Sequence, residues 1–242
     1  MHGPIFGEFL GTLVLMLLGD GVVANVLLKK SKGQHGGWMV ITTAWGLAVL
    51  FGIVTSLAVG GVAHLNPVIT IALAVSNGGY ATILPYVAAQ MAGAFVAAIL
   101  VWLIYLPHWA ETEDAGLKLA IFCTGPAIRN IPCNALAEFL TTIVLVVAGF
   151  SIATKGVAEN GLPAGFGPYL WGMLVWVIGL SLGGPTGYAI NPARDLGPRL
   201  AHAVLPIAGK GHSDWGYAPV PILAPVAGGV VGAAICLALG IL

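Results

Sequence analysis

Six stretches of this chain, approximately residues 5–28, 38–59, 82–106, 135–154, 166–183 and 217–241, are long apolar runs with very few charges inside them. A helix needs about 20 predominantly apolar residues to cross the hydrocarbon core of a bilayer. In lipid every backbone N–H and C=O must be satisfied internally, so six such runs leave the chain little choice but helices packed side by side across a membrane. Composition agrees: of 242 residues 58% are hydrophobic and 7% charged, against roughly 25% charged in a soluble domain. The first run has little basic character ahead of it and no small-residue cleavage site, and is read as a span rather than a removable signal.

The same composition excludes several functions. Net charge is zero, so no basic field invites nucleic acid. Cys123, Cys133 and Cys236 are an odd number without metal-ligand spacing and are read as packing residues. A hydrolase would need a nucleophile and a His base on facing helices, yet the histidines at 35, 108, 202 and 212 fall in predicted loops or near interfaces. No catalytic residue, metal site or cofactor is expected.

The chain repeats itself. "EFLGT" from Glu8 returns as "EFLTT" from Glu138, "WGLAV" from Trp45 as "WGMLV" from Trp171, and Asn66-Pro67 as Asn191-Pro192, at offsets of 130, 126 and 125. One domain, 1–242, is therefore expected to hold a first repeat at 1–107, a connecting loop at 108–130 and a second repeat at 131–242. Each half has three spans. Three is odd, so the second half starts on the opposite face and the repeat is inverted. The expected fold is an all-α polytopic membrane protein: six transmembrane helices plus two re-entrant half-helices.

Those half-helices begin at the Asn-Pro pairs. Asn is a preferred N-cap and Pro suits the first helical position. The segment from Pro67 to about Ser76 reaches only about 15 Å into a core of roughly 30 Å. Its counterpart from Pro192 to about Val204 comes from the other side, so the two meet near the midplane. The irregular backbone before each, Val62, Ala63, His64 and Leu65 and then Gly187, Tyr188, Ala189 and Ile190, is tolerated at that depth only against protein or a wet cavity. It would offer a file of carbonyl acceptors, ending at the amide donors of Asn66 and Asn191. Small hydroxylated molecules suit such a file, and two positive helix N-termini aimed at one spot repel cations.

With "AHLNP" and "GYAINPARDLGPR" in hand, the chain resembles the aquaporin and glycerol facilitator family of membrane channels over nearly its whole length. The resemblance implies a multi-pass protein of the cell membrane and a homotetramer with one pore per protomer. It also implies an outer constriction formed by Trp45, Gly179, Tyr188 and Arg194, as in the glycerol-conducting branch. Trp45 and Tyr188 would make an apolar corner, Arg194 would donate to hydroxyls, and Gly179 would leave room for a wider solute. Arginine at membrane depth is expensive unless it faces a cavity or a partner. Glu8 and Glu138 would brace the re-entrant loops, and His64 would pack within its loop. The implied activity is passive passage of glycerol and similar uncharged solutes, with some water and no ions or protons. A channel mainly for water, urea, dihydroxyacetone or a protonated short hydroxy acid is the rival within the class, and a coupled secondary transporter the rival outside it.

Three residues depart from the family pattern: Val68 where Ala is usual, Val62 where Gly is frequent, and Tyr188 where Phe is frequent. Asp20 matches no family position. Lys29, Lys30 and Lys32 would lie outside if both termini are cytoplasmic, against the positive-inside tendency.

Overall fold

The computed structural model describes residues 2–242. In chain order its helices are α1 (Pro4–Leu27), α2 (Gly37–Ala58), α3 (Pro67–Asn77), α4 (Ile83–Ile104), α5 (Leu106–Glu111), α6 (Ala115–Phe122), α7 (Ile131–Ser151), α8 (Phe166–Leu182), α9 (Pro192–Val204) and α10 (Pro219–Ala238). No strand occurs among the described residues. Helices α1, α2, α4, α7 and α10 are long and apolar enough to span a bilayer. Helix α8, with 17 residues, sits at the lower end of the roughly 17–25 residues that suffice.

Helix α1 packs along α2 and α4, α7 along α10, and α2 against α8. The short helices cross over: α3 packs against α10 of the other half, and α9 against α4. Backbones approach closely at glycines, as expected where apolar area alone drives no association between helices in lipid. A Cβ on Gly93 of α4 would lie 2.3 Å from the Phe9 carbonyl of α1, and one on Gly228 of α10 would lie 2.5 Å from the Phe139 carbonyl of α7. Between the halves, Gly46 of α2 and Gly172 of α8 face each other's carbonyls at 2.8 and 2.7 Å in the same sense.

The stretch 108–130, expected to be a connecting loop, is partly helical. Asp114 caps α6, its Oδ1 accepting from the amides of Gly116 (2.7 Å) and Leu117 (3.2 Å). Trp109, Ile121 and Phe122 are buried, so the segment packs down against α1 and α9. Its acidic residues and Pro126 masked these apolar anchors in the sequence.

Two of the three lysines that run against the positive-inside tendency, Lys29 and Lys30, have structural partners. Lys30 Nζ lies 2.5 Å from Glu111 and Lys29 Nζ 3.4 Å from Glu113, while the Lys29 amide donates to Thr112 Oγ1 at 2.9 Å. The 28–36 loop is thereby tied to the segment following α4, and part of its positive charge is offset locally.

Candidate functional site

The site is built from two irregular loops held in strained geometry. Ala63 and Leu65 have φ of 58° and 52°, and Tyr188 and Ile190 have φ of 41° and 43°. Left-handed backbone at a non-glycine residue costs about 1–3 kcal/mol each and persists only where the surroundings enforce it. Here buried carboxylates do so. Glu8 Oε1 and Oε2 accept from the amides of His64 and Leu65, both at 2.7 Å. Glu138 Oε1 and Oε2 accept from Ala189 (2.9 Å) and Ile190 (3.0 Å). Such charge-assisted bonds are stronger than neutral ones. Glu8 is itself held by Gln90 Nε2 at 2.7 Å, which also donates to Thr70 Oγ1 at 3.0 Å. The His64 ring nitrogen lies 3.1 Å from the same Thr70 hydroxyl, so His64 packs within its loop.

The Asn residues cap as anticipated and do one thing more. Asn66 Oδ1 accepts from the Val68 amide at 2.9 Å, and Asn191 Oδ1 accepts from Ala193 (3.0 Å) and Arg194 (3.3 Å). With each oxygen fixed by its cap, each amide nitrogen points away. Asn66 Nδ2 donates to the Ile190 carbonyl and Asn191 Nδ2 to the Leu65 carbonyl, both at 2.9 Å. The two half-helices are thus latched tip to tip. An amide nitrogen carries two hydrogens, so each Asn keeps one donor for a solute. The Leu65 and Ile190 carbonyls, expected as solute acceptors, instead receive the opposite Asn.

A cavity of about 510 Å³ runs past both Asn residues and takes in Trp45, Tyr188 and Arg194. The loop residues 62–65 and 187–190 line it too. The Arg194 guanidinium stacks over the Trp45 ring at 4.4 Å, and its Nη1 donates to the Phe122 carbonyl at 3.4 Å. Apolar ring and cation therefore share one wall, which suits a molecule with a carbon face and a hydroxyl face.

Gly179 plays a different part from the one expected of it. It does not line the cavity, and a Cβ there would lie 2.7 Å from both Cζ and Oη of Tyr188. One helical turn on, a Cβ at Gly183 would lie 2.5 Å from Tyr188 Cδ1. The space left by the glycines is filled by the Tyr188 ring, which lies back against α8. The buried Tyr188 hydroxyl has no hydrogen-bond partner among the described residues.

Sequence reasoning missed the support around this ring. Trp38 meets Tyr188 edge-on at 5.9 Å and donates from Nε1 to the Gly179 carbonyl at 3.0 Å. It also missed the network under Arg194, in which Asp195 pairs with Arg199 through two bonds of 2.8 and 3.0 Å and accepts from the Thr124 amide and hydroxyl. Of the departures, Val68 is buried against Gly229 of α10, where a Cβ would lie 2.6 Å from its Cγ1. Val62 is not among the residues with positive φ, whereas its counterpart Gly187 has φ of 80°. A side chain at position 62 therefore meets no backbone penalty.

Comparison with known proteins points one way. The chain matches the family profile described as Major intrinsic protein over residues 2–236. It is 56% identical over 229 residues to a probable glycerol uptake facilitator protein of Thermotoga maritima, covering 94% of this chain and 95% of that one. It is 54% identical over 230 residues to glycerol uptake facilitator protein 3 of Lactiplantibacillus plantarum, covering 95% and 93%. Its fold is similar to the X-ray structure of the aquaglyceroporin from Plasmodium falciparum, with a TM-score of 0.84 at 31% identity over 96% of this chain and 93% of that one. Six apolar spans, two Asn-capped half-helices and this match across nearly the full length lead to one conclusion: the chain is a multi-pass membrane protein that belongs to the major intrinsic protein family of channels.

Proposed function

We propose that this protein is a passive channel for glycerol and related small uncharged solutes, with water as a second permeant and with ions and protons excluded. The observation that carries the proposal is the stacked pair of Arg194 and Trp45 on the wall of the cavity that also holds the Asn66 and Asn191 donors. In this reading Trp45 and Tyr188 receive the carbon backbone of the solute and Arg194 binds its hydroxyls. Gly179 acts by seating Tyr188. Asn66-Pro67 and Asn191-Pro192 form the central constriction, with carbonyls of residues 62–64 and 187–189 as the acceptor file, those of Leu65 and Ile190 being engaged by the opposite Asn. Glu8 and Glu138 brace the loops. The names of the relatives in T. maritima and L. plantarum support the choice of glycerol.

A further feature favours a channel over coupled transport. Coupling normally draws on a titratable group in the path, and here the carboxylates next to the loops, Glu8 and Glu138, are engaged by backbone amides. Two repeats, 1–107 and 131–242 joined by 108–130, and assembly as a homotetramer complete the proposal.

Stopped-flow light scattering of proteoliposomes tests it. Glycerol uptake should exceed that of empty vesicles and should not be driven uphill by a proton gradient. Gly179→His should displace the Tyr188 ring into the pore and cut glycerol uptake by about tenfold or more, since a clash in a fitted site costs upwards of about 1.4 kcal/mol, while osmotic water flux persists. Unchanged glycerol uptake in that variant would refute the assignment of the constriction.

A further inference from the structure

Asp20 lies on α1 and is fully buried. Its Oδ1 sits 3.8 Å from Arg194 Nη1, and neither carboxylate oxygen has a hydrogen-bond partner among the described residues. The residue before it, Gly19, is the seat of the Trp45 ring, because a Cβ there would lie 2.4–2.7 Å from three ring carbons. Two consecutive residues of α1 thus back the two components of the constriction, one the aromatic wall and the other the cation. Asp195, the neighbouring residue on α9, is already engaged by Arg199 and Thr124. Among the described residues the carboxylate within ion-pair distance of Arg194 is that of Asp20.

We infer that Asp20 is a specificity-determining residue of the constriction: its carboxylate cancels the charge of Arg194 from behind, so that the guanidinium offers hydrogen bonds to hydroxyl groups without retaining small anions. The inference rests on the reading of the pore as a conduit for neutral polyols. Two helix N-termini and an arginine all direct positive potential at one narrow passage. Unbalanced, that potential rejects cations but concentrates anions. A counter-charge solves the problem only if it stays out of the solute's path, and Asp20 does not line the cavity whereas Arg194 does. The 3.8 Å separation is too long for a direct hydrogen bond, so the donors of Arg194 are not used up by their counter-ion.

The test compares wild type with Asp20→Asn, which keeps the shape and removes the charge, in proteoliposomes of neutral lipid. Glycerol uptake is measured in nitrate, a small anion that matches the guanidinium fork, and in isosmotic gluconate, which is too large to enter. Wild type should show nearly equal rates in the two salts. In Asp20→Asn nitrate should slow uptake by about fivefold or more, the effect of losing one negative charge roughly 4 Å away even at the dielectric constant of water, and Asp20→Glu should behave as wild type. Equal nitrate sensitivity in folded wild type and Asp20→Asn overturns the inference. If Asp20→Asn does not fold, the double variant Asp20→Asn with Arg194→Gln decides: folding of the double supports a charge pair, and its failure assigns Asp20 a packing role and overturns the inference. Absence of wild-type glycerol uptake in gluconate would sink the polyol reading alone, and the same comparison of salts would then be made on osmotic water flux.

Discussion

The two re-entrant segments share a frame and differ in everything hung on it. At the constant offset of 125, Asn66 answers to Asn191, the strained Ala63 and Leu65 to Tyr188 and Ile190, and each loop is held by a buried glutamate. Beyond the caps the match ends. Ile69, Thr70 and Ala74 of α3 stand opposite Arg194, Asp195 and Arg199 of α9, all three of which are buried. Even the helix ends differ: α3 stops at Gly78 in left-handed geometry with φ of 76°, while the last carbonyls of α9 accept from Lys210, at 2.6 Å for His202 and 2.8 Å for Ala203. Reaching the midplane requires only a cap and a brace. The second segment carries in addition a buried Asp195–Arg199 pair, whose hydrogen bonds reach the stretch before α7 and the loop after α9.

The largest break in this comparison should come from Arg199→Leu. Arg199 joins Asp195 to the carbonyls of Thr124, Ser213 and Asp214. Removing one partner of a buried ion pair typically costs about 3–5 kcal/mol, because the other charge is left buried and unpaired. In the first segment Thr70 stands opposite Asp195, the partner of Arg199, and Thr70→Val removes only neutral hydrogen bonds, which should cost on the order of 1–2 kcal/mol. Thermal unfolding of the two variants in detergent measures the contrast, and equal losses would show that the second segment does not depend on its charges.

A smaller asymmetry is expected between the braces. Glu8→Gln and Glu138→Gln each keep the side chain's shape but turn one acceptor into a donor facing a backbone amide. Each should cost about 2–3 kcal/mol, the scale of a hydrogen bond to a charged group. Glu8→Gln should lose more, because Gln90 Nε2 also donates to that carboxylate. Hydrogen exchange at the amides of His64 and Leu65 against those of Ala189 and Ile190 would resolve the difference. Faster exchange confined to the loop facing the substituted glutamate is the expected pattern.

How much of this could be read beforehand depends on whether a feature is local in sequence. The spans, the half-helix starts at Asn66 and Asn191 and the far end of α9 at Val204 follow from apolar run length and capping chemistry, both local properties. The positive φ at Ala63, Leu65, Tyr188 and Ile190 was not legible, because none is a glycine and the conformation is imposed by glutamates some fifty residues away or more. Nor was the seat of Tyr188: an aromatic two glycines wide can be recognised only once α8 and the second loop are side by side. Asp20 and Trp38 carried no motif and took on meaning from proximity alone. The apolar anchors of 108–130 were legible in principle, had Trp109, Ile121 and Phe122 been weighed against the charges between them.

The finest test of the comparison lies in the residues directly after the two Pro positions, Val68 and Ala193. Both are fully buried, and the backbone amide of each donates to the side-chain Oδ1 of its capping Asn, so side-chain size there should affect packing and not the donors in the pore. Val68→Ala should cost roughly 1.6 kcal/mol for the two carbons removed, plus whatever cavity remains beside Gly229. Because the extra bulk of Val68 occupies the space that Gly229 leaves open, with a Cβ at 229 only 2.6 Å from Val68 Cγ1, Gly229→Ala alone should be destabilising by overpacking. In the double variant the added methyl fills part of the void, so the two losses should fall short of additivity by about 0.5 kcal/mol or more, as expected for residues in contact. Solute flux through the surviving protein should match wild type in all three variants. A flux change without a stability change would mean that position 68 shapes the conduit itself, and that the first segment is more than an apolar counterpart to the second.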